Sequence, residues 1–329
     1  MTQGTYSIAL QSDKRPAEYA ALGQLVEELG FDTLSIYSDL LYQPPLIPLA
    51  MVAQATSHIR LGPASLNPYT LHPTEIAGQI ATLDLLSHGR AYLGLARGAW
   101  LDELGLAQTR PISRMREAID VIEHLLAGKR TAYTGHHFQL APHHALRYSV
   151  ERPRVPLLLG SWGPRMLRLA GARADEVKVG GSTNPALAPL IRNWIAEGAA
   201  VAGRDPASIG ICFGAVTIVD EDRALARRQI RRQLAPYLAV VGGLDPTVRL
   251  DPELLQRLAA QLAAGDPDAA GALIPDDLLG RFAFAGNPRD IREHCDALFA
   301  AGVTRVEFGT PHGVTAEGGL RLLGEMTRG

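Results

Sequence analysis

Arg60–Gly105 reads RLGPASLNPYTLHPTEIAGQIATLDLLSHGRAYLGLARGAWLDELG, two strand-then-loop units with a helix between them. Leu61–Leu66 is short and apolar, and it stops at Asn67-Pro68, where proline removes the donor that a central strand needs. Pro73 sits where a first-turn proline belongs, and Ile76, Ile80, Leu83 and Leu86 follow at helical spacing until Ser87-His88-Gly89 ends the helix. Ala91–Ala96 is a second buried strand, and the glycine-bearing loop Arg97-Gly98-Ala99-Trp100 follows it. A polar loop after each buried strand predicts a parallel sheet whose chemistry lies at the carboxyl ends of its strands.

The same alternation extends outward in both directions. The apolar patterning predicts eight strands near 6–12, 32–37, 60–66, 91–96, 156–160, 176–180, 209–219 and 303–308, with helices between them. That count favours a closed (β/α)8 TIM barrel over an open doubly wound sheet. No G-x-G-x-x-G follows the first strand, as a dinucleotide-binding fold would require. The rhythm breaks twice within the single barrel domain expected over residues 1–329. Near 129–155, Tyr133–Leu140 alternates about Gly135 and predicts a hairpin. Near 241–281, a stretch rich in Gly, Pro, Asp and Ala predicts short helices.

At 329 residues, with 47% apolar and 20% charged side chains, the chain can bury a large core. A net charge of −2 with dispersed arginines gives no footprint for nucleic acid. No segment is long and apolar enough to predict a membrane span, and Met1–Thr5 carries no basic region, so a cytoplasmic protein is expected. Cys212 and Cys295 form no close pair and read as reduced core thiols. His136, His137, His143 and His144 have no acidic cluster nearby and match no zinc spacing, so no metal is expected.

The words LGPxxxNPYxxHP and ATLDxLSxGRAxLGL, in order over Arg60–Gly105, resemble the luciferase-like superfamily of flavin and deazaflavin oxidoreductases. The match is nearest to its methylenetetrahydromethanopterin reductase branch, whose members use coenzyme F420. The resemblance implies a luciferase-like barrel that transfers a hydride between C5 of F420 and a small organic substrate. An FMN-dependent monooxygenase and a non-catalytic barrel that binds a flavin or deazaflavin are the alternatives. The resemblance also implies a non-prolyl cis peptide at Ala64–Ser65 behind the cofactor ring; without it, both are small barrel residues. It further implies a homodimer, for which Leu46, Leu49, Val52, Ala53, Ile76, Ile80 and Leu83 could supply an apolar ridge unless the barrel itself consumes it.

Several positions could carry the chemistry. Asn67 could hold a ring carbonyl or cap its own turn. Gly160-Ser161-Trp162-Gly163 opens a helix, and Gly180-Gly181-Ser182 ends the next strand; together they suggest a cradle for the cofactor's phosphate tail. Asp39 matches a carboxylate that lies near the ring in the deazaflavin branch. Relatives often carry histidine after it, where this chain has Leu40, and an acidic residue where it has Ala99. Arg97 could bind an anionic substrate or cofactor carboxylate. Asp102 could accept from the ring or cap the helix starting there. Trp100 could stack on a ring or pack beneath its loop, and His72 could serve as a site residue or a local hydrogen-bonding group.

Overall fold

The computed structural model describes residues 4–328; Met1–Gln3 and Gly329 lie outside the described residues. The elements in chain order are β1 Thr5–Leu10, α1 Pro16–Glu28, β2 Thr33–Tyr37, α2 Leu46–Ala55, β3 Arg60–Ala64, α3 Pro73–Leu86, β4 Leu93–Ala96 and α4 Pro111–Leu126. A hairpin of β5 Tyr133–Thr134 and β6 Gln139–Leu140 follows, then β7 Leu157–Gly160, α5 Pro164–Arg173, β8 Glu176–Gly180, α6 Ala188–Val201 and β9 Gly210–Val219. The chain continues through α7 Arg223–Gly242, α8 Pro252–Ala263, α9 Pro267–Ala272, α10 Asp276–Phe282, β10 Phe284–Gly286, α11 Pro288–Ala300, β11 Arg305–Gly313 and α12 Ala316–Arg328. Prolines open many of these helices because a first-turn residue needs no N–H partner.

Eight parallel strands run in the order β3-β2-β1-β11-β9-β8-β7-β4, and β10 adds to β9 beside them. The ring closes between β3 and β4 through bridges at Leu61–Ala91 and Leu66–Leu95. The eight expected strands are all present, with shifted ends. The last is longer than expected, because β11 runs on to Gly313 and pairs again with β9 at His312 and Gly313 after a register shift. The short β10 went unread, since Phe284–Gly286 carries too few residues to show a period.

Between the two closing bridges the chain takes five steps along β3 (61 to 66) against four along β4 (91 to 95). One extra residue therefore bulges from β3, beside Pro63, which cannot donate to the ladder. The Ala64–Ser65 peptide within this bulge is cis, as the resemblance implied, and Thr310–Pro311 in β11 is cis as well. The bulge presses backbone onto β4: a Cβ on Gly94 would stand 1.9 Å from the Pro63 carbonyl oxygen, so only glycine fits there.

The barrel interior is polar near its middle. Arg305 grips Glu176 through Nε and Nη2, at 2.7 and 2.8 Å, and also donates to Ser7 and Glu307 through Nη1 at 2.8 and 3.1 Å. Glu307 also pairs with Lys178 and accepts from the Ser35 hydroxyl, which bonds the Tyr92 phenol at 2.7 Å. Two cations and two carboxylates thus neutralise each other among groups from β1, β2, β8 and β11 and from Tyr92, just before β4. Glycines make room for the larger members: a Cβ on Gly62 would meet the Tyr92 carbonyl oxygen at 2.3 Å, and one on Gly309 the Tyr37 hydroxyl at 2.5 Å. Cys212 and Cys295 are buried free thiols whose pKa values are raised by burial.

Around this interior, helices bury their apolar faces against the strands. Leu49, Val52, Ala53, Ile76, Ile80 and Leu83 are all within 3% of complete burial in the barrel's own core. The ridge proposed from sequence as a dimer patch is therefore consumed inside one chain, with Leu46 partly buried against it.

Burial tends to raise the Glu307 carboxyl, but Lys178, Arg305 and the Ser35 bond together hold it below its ordinary value. Its contribution to stability is thus present above the unfolded carboxyl's pKa of about 4.3 and is lost as pH falls through the lower folded value. Glu307→Ala strands Lys178 and part of Arg305 without a counter-charge. The expected loss is about 3–5 kcal/mol of unfolding free energy at pH 7, read by urea titration, with the gap to wild type narrowing below about pH 4.

Candidate active site

The carboxyl ends of the strands open into one mouth. Asp39, two residues beyond β2, is exposed and accepts from Gln11 Nε2 at 2.8 Å. The Gln11 backbone N–H in turn donates to Thr310 Oγ1 at 3.0 Å, so the carboxylate is aimed by the loop after β1 and by β11. Leu40 beside it is partly buried and offers no proton.

On the neighbouring strand, where Ala64 pairs with Tyr37, Ala64 and Ser65 are partly buried, and the Ser65 hydroxyl faces β7: a Cβ on Gly160 would lie 3.5 Å from its Oγ. Asn67 does cap its own turn. Its Oδ1 accepts from the Tyr69 N–H at 3.1 Å, the Thr70 N–H at 2.9 Å and the Thr70 hydroxyl at 3.2 Å, so that oxygen is committed within the loop. The Asn67 amide carbon would lie 3.1 Å from a Cβ on Gly98, which packs the loop after β3 against the loop after β4.

In that second loop Arg97 and Ala99 are exposed, and Trp100 is 41% exposed with φ 54°. Trp100 is also the cap position of the short 3-10 turn Leu101–Leu104 that contains Asp102. Asp102 is therefore inside the turn and does not cap it, which corrects the expectation from sequence. His72 proves to be the cap of α3: its Nδ1 meets the Thr74 hydroxyl at 2.8 Å and the Thr74 N–H at 3.3 Å. Arg114 lies over the rings of Tyr69 and Phe138, at 4.7 and 5.1 Å, and donates to the Pro68 carbonyl.

The two glycine loops meet as expected. Trp162 Nε1 donates to the Gly180 carbonyl at 2.8 Å and ties the loop after β7 to the loop after β8. Several of their N–H groups are spent internally: Ser161 donates to the Lys178 carbonyl, Gly163 to Ser161 Oγ, and Gly181 to the Gly214 carbonyl. Ser182 is buried and its hydroxyl accepts from the Asn184 N–H at 3.2 Å. The Ser161 hydroxyl keeps its own hydrogen to donate, and the start of α5 adds the positive end of the helix dipole. A Cβ on Gly163 or Gly180 would meet no atom within 4 Å, so both glycines border open space. That space and those donors fit a phosphate-bearing group.

Beneath the mouth lies a floor that sequence reading missed. Lys178 Nζ stands 5.2 Å from the Tyr37 ring centroid, and burial first, then Glu307 and Asp39, raises the Tyr37 hydroxyl's pKa. The signal was present in the strands: Lys178 in VKV, and Arg305 and Glu307 in RVEF, are charges at alternating positions of buried strands. His312 was missed as well. It is buried, its Nε2 lies 3.1 Å from the Ala9 carbonyl oxygen, and burial pushes its pKa down to about 4.

The histidines of the first insertion serve its packing. His136 bonds Arg110 at 2.7 Å and His137 bonds Ser113 at 2.9 Å. Among the described residues, no three His, Cys, Asp or Glu side chains are gathered to hold a metal ion.

A closed parallel barrel whose strand-end loops bring glycines, a serine hydroxyl and a carboxylate to one mouth has the layout of a cofactor-binding α/β enzyme. The family model described as "Luciferase-like monooxygenase" matches residues 1–305, and the chain belongs to that family. It is 31% identical to the 5,10-methylenetetrahydromethanopterin reductase of Methanopyrus kandleri, covering 99% of this chain and 98% of that one. It is 29% identical to the enzyme of the same name from Archaeoglobus fulgidus, covering 97% of each. The solved structure of the coenzyme F420 dependent tetrahydromethanopterin reductase from Methanopyrus kandleri superposes with a TM-score of 0.89 at 28% identity, over 99% of this chain and 98% of that one. An F420-dependent secondary alcohol dehydrogenase shares the fold with a TM-score of 0.78 at 18% identity, over 99% and 98% of the two chains.

Gly180 gives the sharper probe of the cradle. Gly181 has φ 83°, and a Cβ there would stand 2.6 Å from Val241, so Gly181→Asp would disturb the fold before it reached any ligand. Gly180→Val adds its side chain to open space. The expected outcome is an unfolding midpoint within about 2 °C of wild type, with affinity for a phosphate-bearing cofactor at least about tenfold weaker by fluorescence titration.

Proposed function

We propose that this protein is an F420-dependent oxidoreductase acting on a small organic substrate. The observation that carries this is the pair of glycine loops bordering open space near the bulged β3, with Asp39 at the same mouth. Likeness over nearly the full length to a reductase described as coenzyme F420 dependent supports the same reading.

The deazaflavin, when bound, supplies the hydride-transfer chemistry at its C5. The chain's residues hold it and shape the mouth around it. Gly160, Ser161, Trp162 and Gly163 receive the phosphate on one side, and Gly180, Gly181 and Ser182 on the other. Ala64 and Ser65 back the ring with small side chains, and Asn67 keeps their loop in shape. Asp39 hydrogen-bonds the ring edge or relays a proton through water, held in place by Gln11. Arg97 takes an anionic group, and Asp102 lies at the outer edge of the same loop. Tyr37 and Lys178 close the floor against water.

Separate titrations of the purified protein with F420 and FMN test this, each followed by fluorescence quenching. Tighter binding of F420 is expected, and a preference for FMN would favour the luciferase-like monooxygenase reading. In an F420-dependent assay, Asp39→Asn keeps shape and loses charge; turnover should fall at least ~10²-fold with a modest loss of cofactor affinity. Equal losses in both would leave Asp39 a binding role alone.

The protein is further read as a cytoplasmic homodimer, on likeness to related barrels. With the α2–α3 ridge buried, the exposed Ile47 at the start of α2 is what that face still offers a partner. Light scattering at micromolar concentration should give twice the mass of one chain, and a monomer mass would refute the dimer.

A further inference from the structure

Above the Glu307 network the barrel is left open by small residues. Side chains along a strand point alternately to its two sides, so residues two apart share a side. Ser35 reaches the interior to meet Glu307 and Tyr92, which puts Tyr37, the last residue of β2, on the same side and one step nearer the mouth. Lys178 points inward from β8 to Glu307, and Gly180 follows it by two. A Cβ on Gly180 would meet no atom within 4 Å, so no neighbouring side chain fills that place. Gly309, two beyond Glu307 on β11, yields its place to the Tyr37 hydroxyl, which lies 2.5 Å from where a Cβ would stand.

The Tyr37 phenol stands in this layer held at its ring and its backbone but free at its tip. The ring centroid is 5.2 Å from Lys178 Nζ, and the backbone carbonyl accepts from the Ser12 hydroxyl at 3.2 Å. The phenol oxygen bonds no described residue. Among the described residues, the polar side-chain atoms that are both sealed from water and unpartnered are Thr33 Oγ1 and His124 Nε2. The Tyr37 hydroxyl is not one of them, so it is open to the mouth. Its pKa is raised, so it keeps its proton and can donate. In the sheet Tyr37 pairs directly with Ala64, the first residue of the cis peptide in the β3 bulge. The free hydroxyl and the bulge therefore line neighbouring parts of one wall.

We propose that the Tyr37 hydroxyl donates a hydrogen bond to a carbonyl oxygen of the cofactor ring that Ala64 and Ser65 back, and thereby favours the ring's reduced form. The inference rests on reading this mouth as the F420 site. A ring that has gained a hydride is richer in electrons, and a fixed donor at its carbonyl stabilises it more in that state than in the oxidised one. The donor is fixed because Gly309 leaves room for the phenol tip and Lys178 lies against the ring.

Tyr37→Phe removes the hydroxyl and keeps the ring. No bond within the protein is lost, so its unfolding midpoint should stay within about 2 °C of wild type. The test is anaerobic calorimetric titration of the substrate-free protein with F420 and with its two-electron-reduced form. Tyr37→Phe should bind the oxidised form about threefold more weakly and the reduced form about tenfold more weakly than wild type. Unchanged affinity for both forms overturns the proposal. So does an equal loss for both, which a merely structural role would give, or a larger fall in the midpoint, which would show the hydroxyl bonded within the protein. Parallel titration with FMN keeps the two readings apart. A wild type that prefers FMN overturns the proposed function, and the same comparison on oxidised and reduced FMN then decides the role of Tyr37. A wild type that binds F420 beside an unaltered Tyr37→Phe overturns the role of Tyr37 alone, and one that binds neither ring overturns both.

Discussion

The buried contact between Glu307 and its two cations sets terms for the rest of the barrel. A lone carboxylate at that depth would cost several kcal/mol, so Lys178 and Arg305 must arrive from β8 and β11 with matched geometry. Arg305 carries a further demand, met by the two oxygens of Glu176. Ser7 and Ser35 then supply hydrogen bonds from β1 and β2, and Tyr92 reaches in from beside β4. Side chains this large fit only because their neighbours are small. Glycines at positions 62, 214 and 309 are the reverse image of Tyr92, Glu307 and Tyr37. The network also fixes the floor on which any ligand in the mouth must rest.

The other fixed point is the seam between β3 and β4. Regular pairing there is reduced to two bridges because the extra residue of β3 leaves the ladder. The bulge turns Ala64 and Ser65 toward the mouth and forces Gly94 on the neighbouring strand. Structure and site are coupled here by sterics: the residues that shape the pocket wall are also the residues that weaken the barrel's seam.

The architecture was legible because most buried strands end in a proline- or glycine-marked loop and the helices between them show apolar spacing. The hairpin and the short helices of the insertions were legible for the same reason. Ladder irregularities were not: β10 has three residues, and the extension of β11 passes through Pro311, which reads as a strand end. The site was legible as a set of loops, since glycines and Asp39 sit at strand ends whose places the topology dictates. Individual roles were harder. Asn67, His72 and Asp102 are polar residues near turns, and whether such a residue caps its own backbone or faces a ligand depends on one rotamer that spacing does not encode.

The strand order has a temporal consequence. β1 lies between β2 and β11, and Thr5 pairs with Arg305, three hundred residues later in the chain. The counter-charges for Lys178 and Glu176 are carried on that same last strand. During synthesis, seven strands emerge with an incomplete ring and with buried-site charges that have no partners. Contacts of such sequence separation slow folding, because the closure entropy of the intervening chain must be met before they form. The barrel therefore cannot acquire its neutral interior, or the floor of its mouth, until the final strand leaves the ribosome. A chain truncated before residue 305 would resemble an arrested intermediate more than a smaller enzyme.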